Sequence, residues 1–201
     1  VDAVDFGDWC DGIAAGRSYV SDGYAHALRF TVNDVAPGFG DVTLAQPGEV
    51  EVQARVAFAE ELPIGVAYGS AAPPQGPRMV GDTRELHLPR TDETTRGGVR
   101  KVELVVNGEV VAAKEVPADA REHDLSFRVP IERSSWVALR HFPQLHTNPV
   151  NVLVADRPIR ASADSARWCA DCVRSLWERG QQRSAKDERP AARAPYERAV
   201  E

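Results

Sequence analysis

Two short stretches of the sequence hold the polar residue types that could do chemistry, residues 21–26 and residues 136–148. An arginine on the polar face of a strand can hold a carboxylate in a forked ion pair, and Arg140 with Asp22 is the candidate pair. The hypothesis is that these side chains line one polar groove. The alternative is a structural turn around a buried, hydrogen-bonded His146, because Thr or Asn beside it can bond the local backbone. The candidate groove residues are Asp22, His26, Arg140, His146, Thr147 and Asn148.

Motifs typical of catalytic and metal sites are missing from the sequence. It contains no Gly-x-Gly-x-x-Gly, Walker-type or Gly-x-Ser-x-Gly stretch, and no His-x-His or His-Glu-x-x-His pair. We therefore expect no catalytic residue, no metal ligand and no cofactor in this chain. A free-standing enzyme that uses His146 with Asp22 stays open as an alternative.

The three cysteines allow several arrangements. Cys169 and Cys172 form Cys-Ala-Asp-Cys, and Cys10 is far away in sequence. A zinc site needs four ligands, and a thioredoxin-like motif begins a helix after a strand, whereas this pair lies inside an amphipathic helix pattern. The sequence favours buried thiols. The alternative is one disulfide between Cys10 and either Cys169 or Cys172, which requires an oxidising compartment.

Charge and hydropathy exclude some classes of protein. The 201 residues include 24 Lys and Arg against 30 Asp and Glu, a net charge of −6, which argues against nucleic-acid binding. Apolar runs reach only about five residues, too few for a membrane span. A basic segment followed by an apolar one, the mark of a signal peptide, is also missing from the sequence. The compartment and the oligomeric state stay open.

Period-two alternation predicts most of the strands. Residues 49–59 alternate most strictly, with Val and Phe on one face and charged residues on the other. Pro47-Gly48 predicts a type II turn that joins residues 41–45 to this strand as a hairpin. Asn107-Gly108 predicts a type I′ hairpin within residues 99–116. Further strands are predicted at 18–22, 26–33, 84–88, 124–131, 135–141 and 150–155, with loops at 70–82 and 91–98.

Helical spacing appears at both ends of the chain. It predicts a helix over residues 5–16 and a second one after residue 160, which Ser162 or Asp164 caps. The charged tail from residue 178 is predicted to be a frayed helix or a partly ordered arm. The four tryptophans fall mostly on predicted buried faces; they are Trp9, Trp136, Trp168 and Trp177.

The count of strands sets the expected fold. About eight to ten short strands separated by turn signals are typical of a sandwich of two sheets. We therefore expect a mainly β protein, an antiparallel Ig-like β-sandwich with a short N-terminal helix and a C-terminal helix.

Three stretches, residues 16–23, 134–140 and 146–150, resemble the C-terminal region of CehA/McbA-type metallohydrolases of the PHP-like superfamily. The helix over residues 161–177 is similar to the terminal helix of some members. The resemblance implies that a metal-binding barrel, holding a divalent metal such as zinc or manganese, precedes a β-sandwich in one polypeptide. No position of this sequence matches a metal ligand or a catalytic residue of that barrel.

The resemblance implies a division of the chain and a function. Residues 1–22 would be the end of the upstream barrel, residues 23–160 the sandwich, and residues 161–201 a C-terminal helix with its charged tail. The chain would be a non-catalytic accessory domain that packs on a metal-dependent hydrolase and shapes its entrance. Its partner would be that upstream barrel. When this chain is without the barrel, we expect an exposed apolar or polar-groove surface around Trp9, Tyr19, Tyr24 and His146.

The alternative function is an independent ligand- or carbohydrate-binding β-sandwich module. Sandwiches often carry such sites, but a fold does not establish a function. Sugar binding favours a row of exposed aromatic side chains, whereas the tryptophans here fall mostly on predicted buried faces.

Overall fold

Strands dominate the part of the chain that the computed structural model describes, residues 5–63, 94–183 and 185–200. The chain divides into two units, Val1–Ile159 and Arg160–Glu201. The first unit begins with helix α1 (Phe6–Ala14). Its strands are β1 (Tyr19–Ser21), β2 (Ala25–Val32), β3 (Val42–Leu44), β4 (Gly48–Phe58), β5 (Glu61–Pro63), β6 (Thr94–Arg96), β7 (Val99–Val106), β8 (Glu109–Pro117), β9 (Glu122–Ile131), β10 (Ser135–His141), β11 (Leu145–Thr147) and β12 (Val150–Val154).

Two sheets enclose the core. The smaller sheet is antiparallel in the order β2-β4-β9. In the larger sheet, β8-β7-β10 lie side by side, and the other edge of β10 is shared by two strands. β12 pairs with the first half of β10 and carries β3 beyond it, whereas β11 pairs with the second half and carries β1. The predicted mainly β sandwich fold is confirmed.

Strand β4 shows why the sequence forms this core. Its alternate apolar side chains are buried and its intervening charged and polar ones face outward, which is the pattern of a strand with one face in the core. β4 pairs with β2 on one side and β9 on the other. The core side chains come from both sheets. They include Val50, Val52, Val56, Phe58, Phe127, Leu104, Leu139 and Val152.

The predicted hairpin at Asn107-Gly108 is confirmed. β7 and β8 pair across it in antiparallel register. Asn107 has φ 52° and Gly108 has φ 96°, and a type I′ turn needs positive φ at both positions.

The hairpin predicted at Pro47-Gly48 is wrong. β3 pairs in parallel with β12 in the larger sheet, whereas β4 belongs to the smaller one. Gly48 starts β4 opposite Ile131 and is not among the glycines with positive φ that a type II turn requires. The residues between β3 and β4 therefore carry the chain from one sheet to the other. The parallel pair is also a departure from a purely antiparallel sandwich.

The remaining loop and strand predictions have different outcomes. The loop predicted at residues 91–98 is wrong at Thr94–Arg96, which form β6 and pair with β5. The predicted strand at 84–88 and loop at 70–82 lie outside the described residues. Residues 19–21, which the resemblance assigns to the end of a barrel, form β1 and pair with β11 of the sandwich.

The second unit is helical. α2 (Ala163–Gly180) begins where predicted, because the Ser162 side-chain oxygen accepts a hydrogen bond from the Ser165 N–H at 3.1 Å. A 3₁₀ turn (Gln181–Arg183) follows, and α3 (Arg189–Arg198) lies in the predicted frayed tail. The rings of Trp177 and Tyr196 are 5.3 Å apart between α2 and α3.

Asn107 offers a test of the β7–β8 hairpin and its attachment to β10. Its side-chain oxygen accepts from the Trp136 N–H at 3.1 Å, and its amide nitrogen donates to Ser135 Oγ at 2.9 Å. Asn107→Gly removes both bonds, and Asn107→Ala also strains the positive φ, at a further cost of about 1 kcal/mol. The urea midpoint of unfolding should therefore be highest for the wild type, lower for Asn107→Gly and lowest for Asn107→Ala. Equal midpoints for the two variants would contradict the type I′ turn.

Candidate functional site

Two of the predicted groove residues lie side by side on the larger sheet. Arg140 of β10 is directly opposite His146 of β11. The same row continues to Val20 of β1 on one side and to Glu103 of β7 on the other. The register thus places these four residues in a single row across four strands.

The partner of Arg140 is Glu103, not Asp22 as predicted. Arg140 Nε donates to Glu103 Oε2 at 2.8 Å, and Lys101 Nζ lies 3.1 Å from the other carboxylate oxygen. The Glu103 side chain is only 16% exposed. Hydrogen bonds from Arg140 and then Lys101 lower the pKa of Glu103 below its ordinary value. The Arg140–Asp22 pair failed as a prediction because strand register, not polarity, decides which carboxylate Arg140 meets.

Asp22 instead fixes the turn between β10 and β11. Its Oδ2 accepts from Gln144 Nε2 at 2.9 Å, and its Oδ1 accepts from the Tyr24 N–H at 2.9 Å. Gln144 is 2% exposed, and its side-chain oxygen lies 3.2 Å from His141 Nε2. His141 Nδ1 in turn lies 2.9 Å from the Lys101 carbonyl oxygen. The sequence pattern does not single out Gln144, because a single glutamine in a turn has no periodic signal.

The two groove histidines have separate partners. His26 Nδ1 lies 3.0 Å from the hydroxyl of Tyr19, so β2 contacts β1 there. His146 Nδ1 lies 2.7 Å from the Thr147 carbonyl oxygen. The ring of His146 is exposed, so the alternative of a buried histidine is wrong. The structure brings His146 to Arg140, but the contacts of Asp22 and His26 are with other residues.

Thr147 and Asn148 connect elements rather than face a ligand. The buried hydroxyl of Thr147 accepts from the Leu139 N–H at 2.9 Å, between β11 and β10. Asn148 Nδ2 donates to the Gly16 carbonyl at 2.9 Å and lies 3.1 Å from Ser18 Oγ. Asn148 therefore ties the end of α1 to the sandwich.

A second contact holds the same end of α1. Arg17 Nε donates to the Gly38 carbonyl at 3.3 Å, and its guanidinium lies 4.4 Å from the centre of the Phe39 ring. Gly38 has φ 76°, and a Cβ there would lie 2.2 Å from the Ala15 carbonyl oxygen. Only glycine fits this close approach. The C-terminal end of α1 thus has a fixed place on the sandwich.

The rest of α1 carries an exposed apolar stripe, which we call the α1 face: Phe6, Trp9 and Ile13. Phe6 is 76% exposed and Trp9 59%, and no residue of the helix is buried. The prediction that Trp9 lies on a buried face is therefore wrong, whereas the exposed surface expected around Trp9 is present. Trp168 of the second unit is also exposed, whereas Trp136 and Trp177 are half-buried.

The cysteines and possible metal ligands are not assembled into a site in the described ranges. Cys169 is exposed and Cys10 and Cys172 are half-buried, so the prediction of buried thiols is wrong. All three are free thiols, and the disulfide of Cys10 with Cys169 or Cys172 stays a prediction. Within the described residues, no group of three His, Cys, Asp or Glu side chains could hold a metal ion. No described helix is long and apolar enough to cross a membrane.

No protein-family model matches the chain, and no curated protein matches it.

Thr147 gives a sharp test of the β10–β11 connection. Thr147→Val keeps the shape of the side chain but leaves the buried Leu139 N–H without an acceptor, which costs about 1–3 kcal/mol. Thr147→Ser keeps the hydroxyl and should retain most of the stability. Chemical denaturation of the three proteins measures the difference. If the valine variant is no less stable than the serine variant, the hydroxyl does not serve as the acceptor.

Glu103 gives a test of the electrostatics. Because its pKa is lowered in the folded state, the carboxylate contributes stability at neutral pH that is lost as the pH falls through the folded-state pKa, below the ordinary 4.5. Glu103→Gln should destabilise the protein by about 1 kcal/mol at pH 7, and the difference from wild type should shrink toward acid pH. Unfolding midpoints across the pH range measure it.

Glu49→Gln is the matched control for that series. Glu49 pairs with Arg128 at 3.9 Å, and both side chains are largely exposed. Its loss should change stability little at any pH. A pH-independent effect of Glu103→Gln, or an equal effect of both substitutions, would contradict a stabilising role for the Glu103 carboxylate.

Proposed function

We propose that this chain is a non-catalytic accessory β-sandwich. It docks through the α1 face onto an upstream catalytic barrel of the same polypeptide, a PHP-like, metal-dependent hydrolase. The observation that carries the proposal is the α1 face itself, an exposed apolar stripe on a helix whose end is fixed to the sandwich.

The energetics of α1 favour a covered state. Its nine residues are too few for a stable isolated helix in water. Covering a large apolar side chain such as Phe6 or Trp9 contributes about 1.5–3 kcal/mol. Most helices in folded proteins owe their stability to packing of the apolar face. A partner on the α1 face would supply that packing.

The resemblance supplies the identity of the partner, and the contacts support a structural role for the stretches that carry it. Asn148, in the stretch 146–150, bonds to Gly16 and Ser18 in the stretch 16–23. Thr147 bonds to Leu139 in the stretch 134–140. The three stretches therefore meet where α1 joins the sandwich. Their polar groups position the helix, which is the task of an accessory domain.

The engagement of the polar groups argues against catalysis by this chain. Each of the six candidate groove residues has a hydrogen-bond or ion-pair partner within the protein. A general base must reach the substrate and be activated by a neighbouring group. The exposed ring of His146 has an open side, but the described partner of its Nδ1 is the Thr147 carbonyl oxygen, and Asp22 bonds to Gln144 and to the Tyr24 N–H instead. We therefore place the chemistry in the barrel, where divalent metal would activate water.

Hydrogen exchange tests the docking directly. We expect the amides of residues 5–16 to exchange fast in this chain alone and at least tenfold more slowly in the longer polypeptide that contains the barrel. Trp9→Glu should abolish that protection, because it places a charge on the α1 face. The matched control is Phe142→Glu, an equally drastic change at an exposed aromatic outside α1, which should leave the protection intact.

A second variant tests whether the position of α1 on the sandwich matters as well as the contact made by the α1 face. Gly38→Ala should displace the end of α1 and reduce the same protection, while the exchange of β4 stays slow. Equal exchange of residues 5–16 with and without the upstream segment would overturn the proposal. So would metal-dependent hydrolysis by this chain alone, or calorimetric binding of a sugar by it that Trp9→Glu abolishes.

A further inference from the structure

Helix α2 has two apolar stripes. One faces α3, where Val173, Trp177 and Tyr196 line a cavity of about 380 Å³. The other consists of Trp168, Cys172 and Leu176, spaced four residues apart and therefore on one face of the helix. We call it the α2 stripe. Trp168 is 68% exposed and Leu176 62%.

The α2 stripe forms a shallow groove of about 460 Å³ with polar side chains along its border. Asp171, Ser175 and Arg179 supply that border. An apolar centre with a polar rim is the usual composition of a protein–protein contact. All the residues that line this groove belong to α2.

We propose that the occupant of this groove is the α2 stripe of a second copy of this chain, in antiparallel orientation about a two-fold axis at Cys172. In a two-fold contact the same patch serves both partners. Trp168 and Leu176 lie equally far before and after Cys172. An antiparallel copy therefore places Trp168 of each chain against Leu176 of the other, which gives two equivalent contacts.

The charges of α2 fit the antiparallel orientation. Asp164 lies in the first turn of the helix and Arg179 in the last. An antiparallel copy brings Asp164 of one chain beside Arg179 of the other, and the opposite ends of the two helix dipoles meet. A parallel copy would place like charges together. Within the described residues Arg179 has no ion-pair partner, and the contact of Asp164 with Arg167 at 3.1 Å is highly exposed.

Sedimentation of the full chain over a concentration series tests the contact. We expect reversible dimers in the wild type, and a dimer dissociation constant raised at least tenfold by Trp168→Glu. The matched control is Trp9→Glu, the same substitution at an exposed tryptophan of another helix, which should leave the dimer intact. A monomeric wild type, or a dimer lost only with Trp9→Glu, would overturn the proposal.

Single-cysteine variants test the axis. With the other two cysteines changed to serine, a mild oxidant should cross-link the Cys172-only chain rapidly, because the two thiols face each other. The Cys169-only chain is the control, since Cys169 is more exposed but lies off the stripe. Equally fast cross-linking of both chains would overturn the proposed axis.

Charge reversal tests the orientation. Arg179→Asp should weaken the dimer at least threefold, and the double variant Asp164→Arg, Arg179→Asp should recover wild-type affinity. Circular dichroism of each variant checks that the helix content is unchanged. Failure of the double variant to recover affinity, with helix content unchanged, would overturn the antiparallel arrangement.

Discussion

The strict separation of the two faces of β4 is the constraint on which the rest of the sandwich depends. Its alternate Val, Ala and Phe side chains are buried against the larger sheet, while Glu49, Glu51 and Arg55 face outward. A slip of one residue would exchange these faces and bury the charges, so the pairing of β4 with β2 and β9 has a single acceptable register. That register fixes the core, and the core in turn fixes β10, whose C-terminal end carries Arg140 and pairs with β11.

The polar residues at the end of the larger sheet connect different elements through hydrogen bonds. Asp22 and the buried Gln144 hold the turn between β10 and β11. The Thr147 hydroxyl, in place of a backbone carbonyl, accepts the hydrogen bond of the Leu139 N–H. Asn148 extends this set to α1. Buried polar groups are costly unless they are satisfied, and here each satisfies a partner from another element. The result is a short helix with a defined position and an apolar face turned outward.

Local chemistry made part of this structure predictable. Asn107-Gly108 can adopt positive φ at both positions, and Ser162 caps a helix, so both features follow from a few adjacent residues. Pairings between residues that lie far apart in sequence could not be predicted in this way. Pro47-Gly48 is compatible with a type II turn, but the chain crosses between sheets there, because β3 pairs with β12. Charge alone predicts Asp22 as the carboxylate partner of Arg140, whereas the register of β10 with β7 places Glu103 there. Trp9 has the spacing of a buried face, and spacing does not reveal whether that face is covered by this chain.

The parallel pairing of β3 with β12 has a consequence for the order of assembly. Val42 lies opposite Val152, and Leu44 opposite Val154, so a strand near the start of the sandwich has its partner near the end. Contacts between such distant residues form late, because closing the intervening loop is entropically costly. On the ribosome, β3 has no partner until β12 has left the exit tunnel. β4 can pair with β2 and β9 before that point, so it is the addition of β3 to the larger sheet that depends on the last strand of the sandwich.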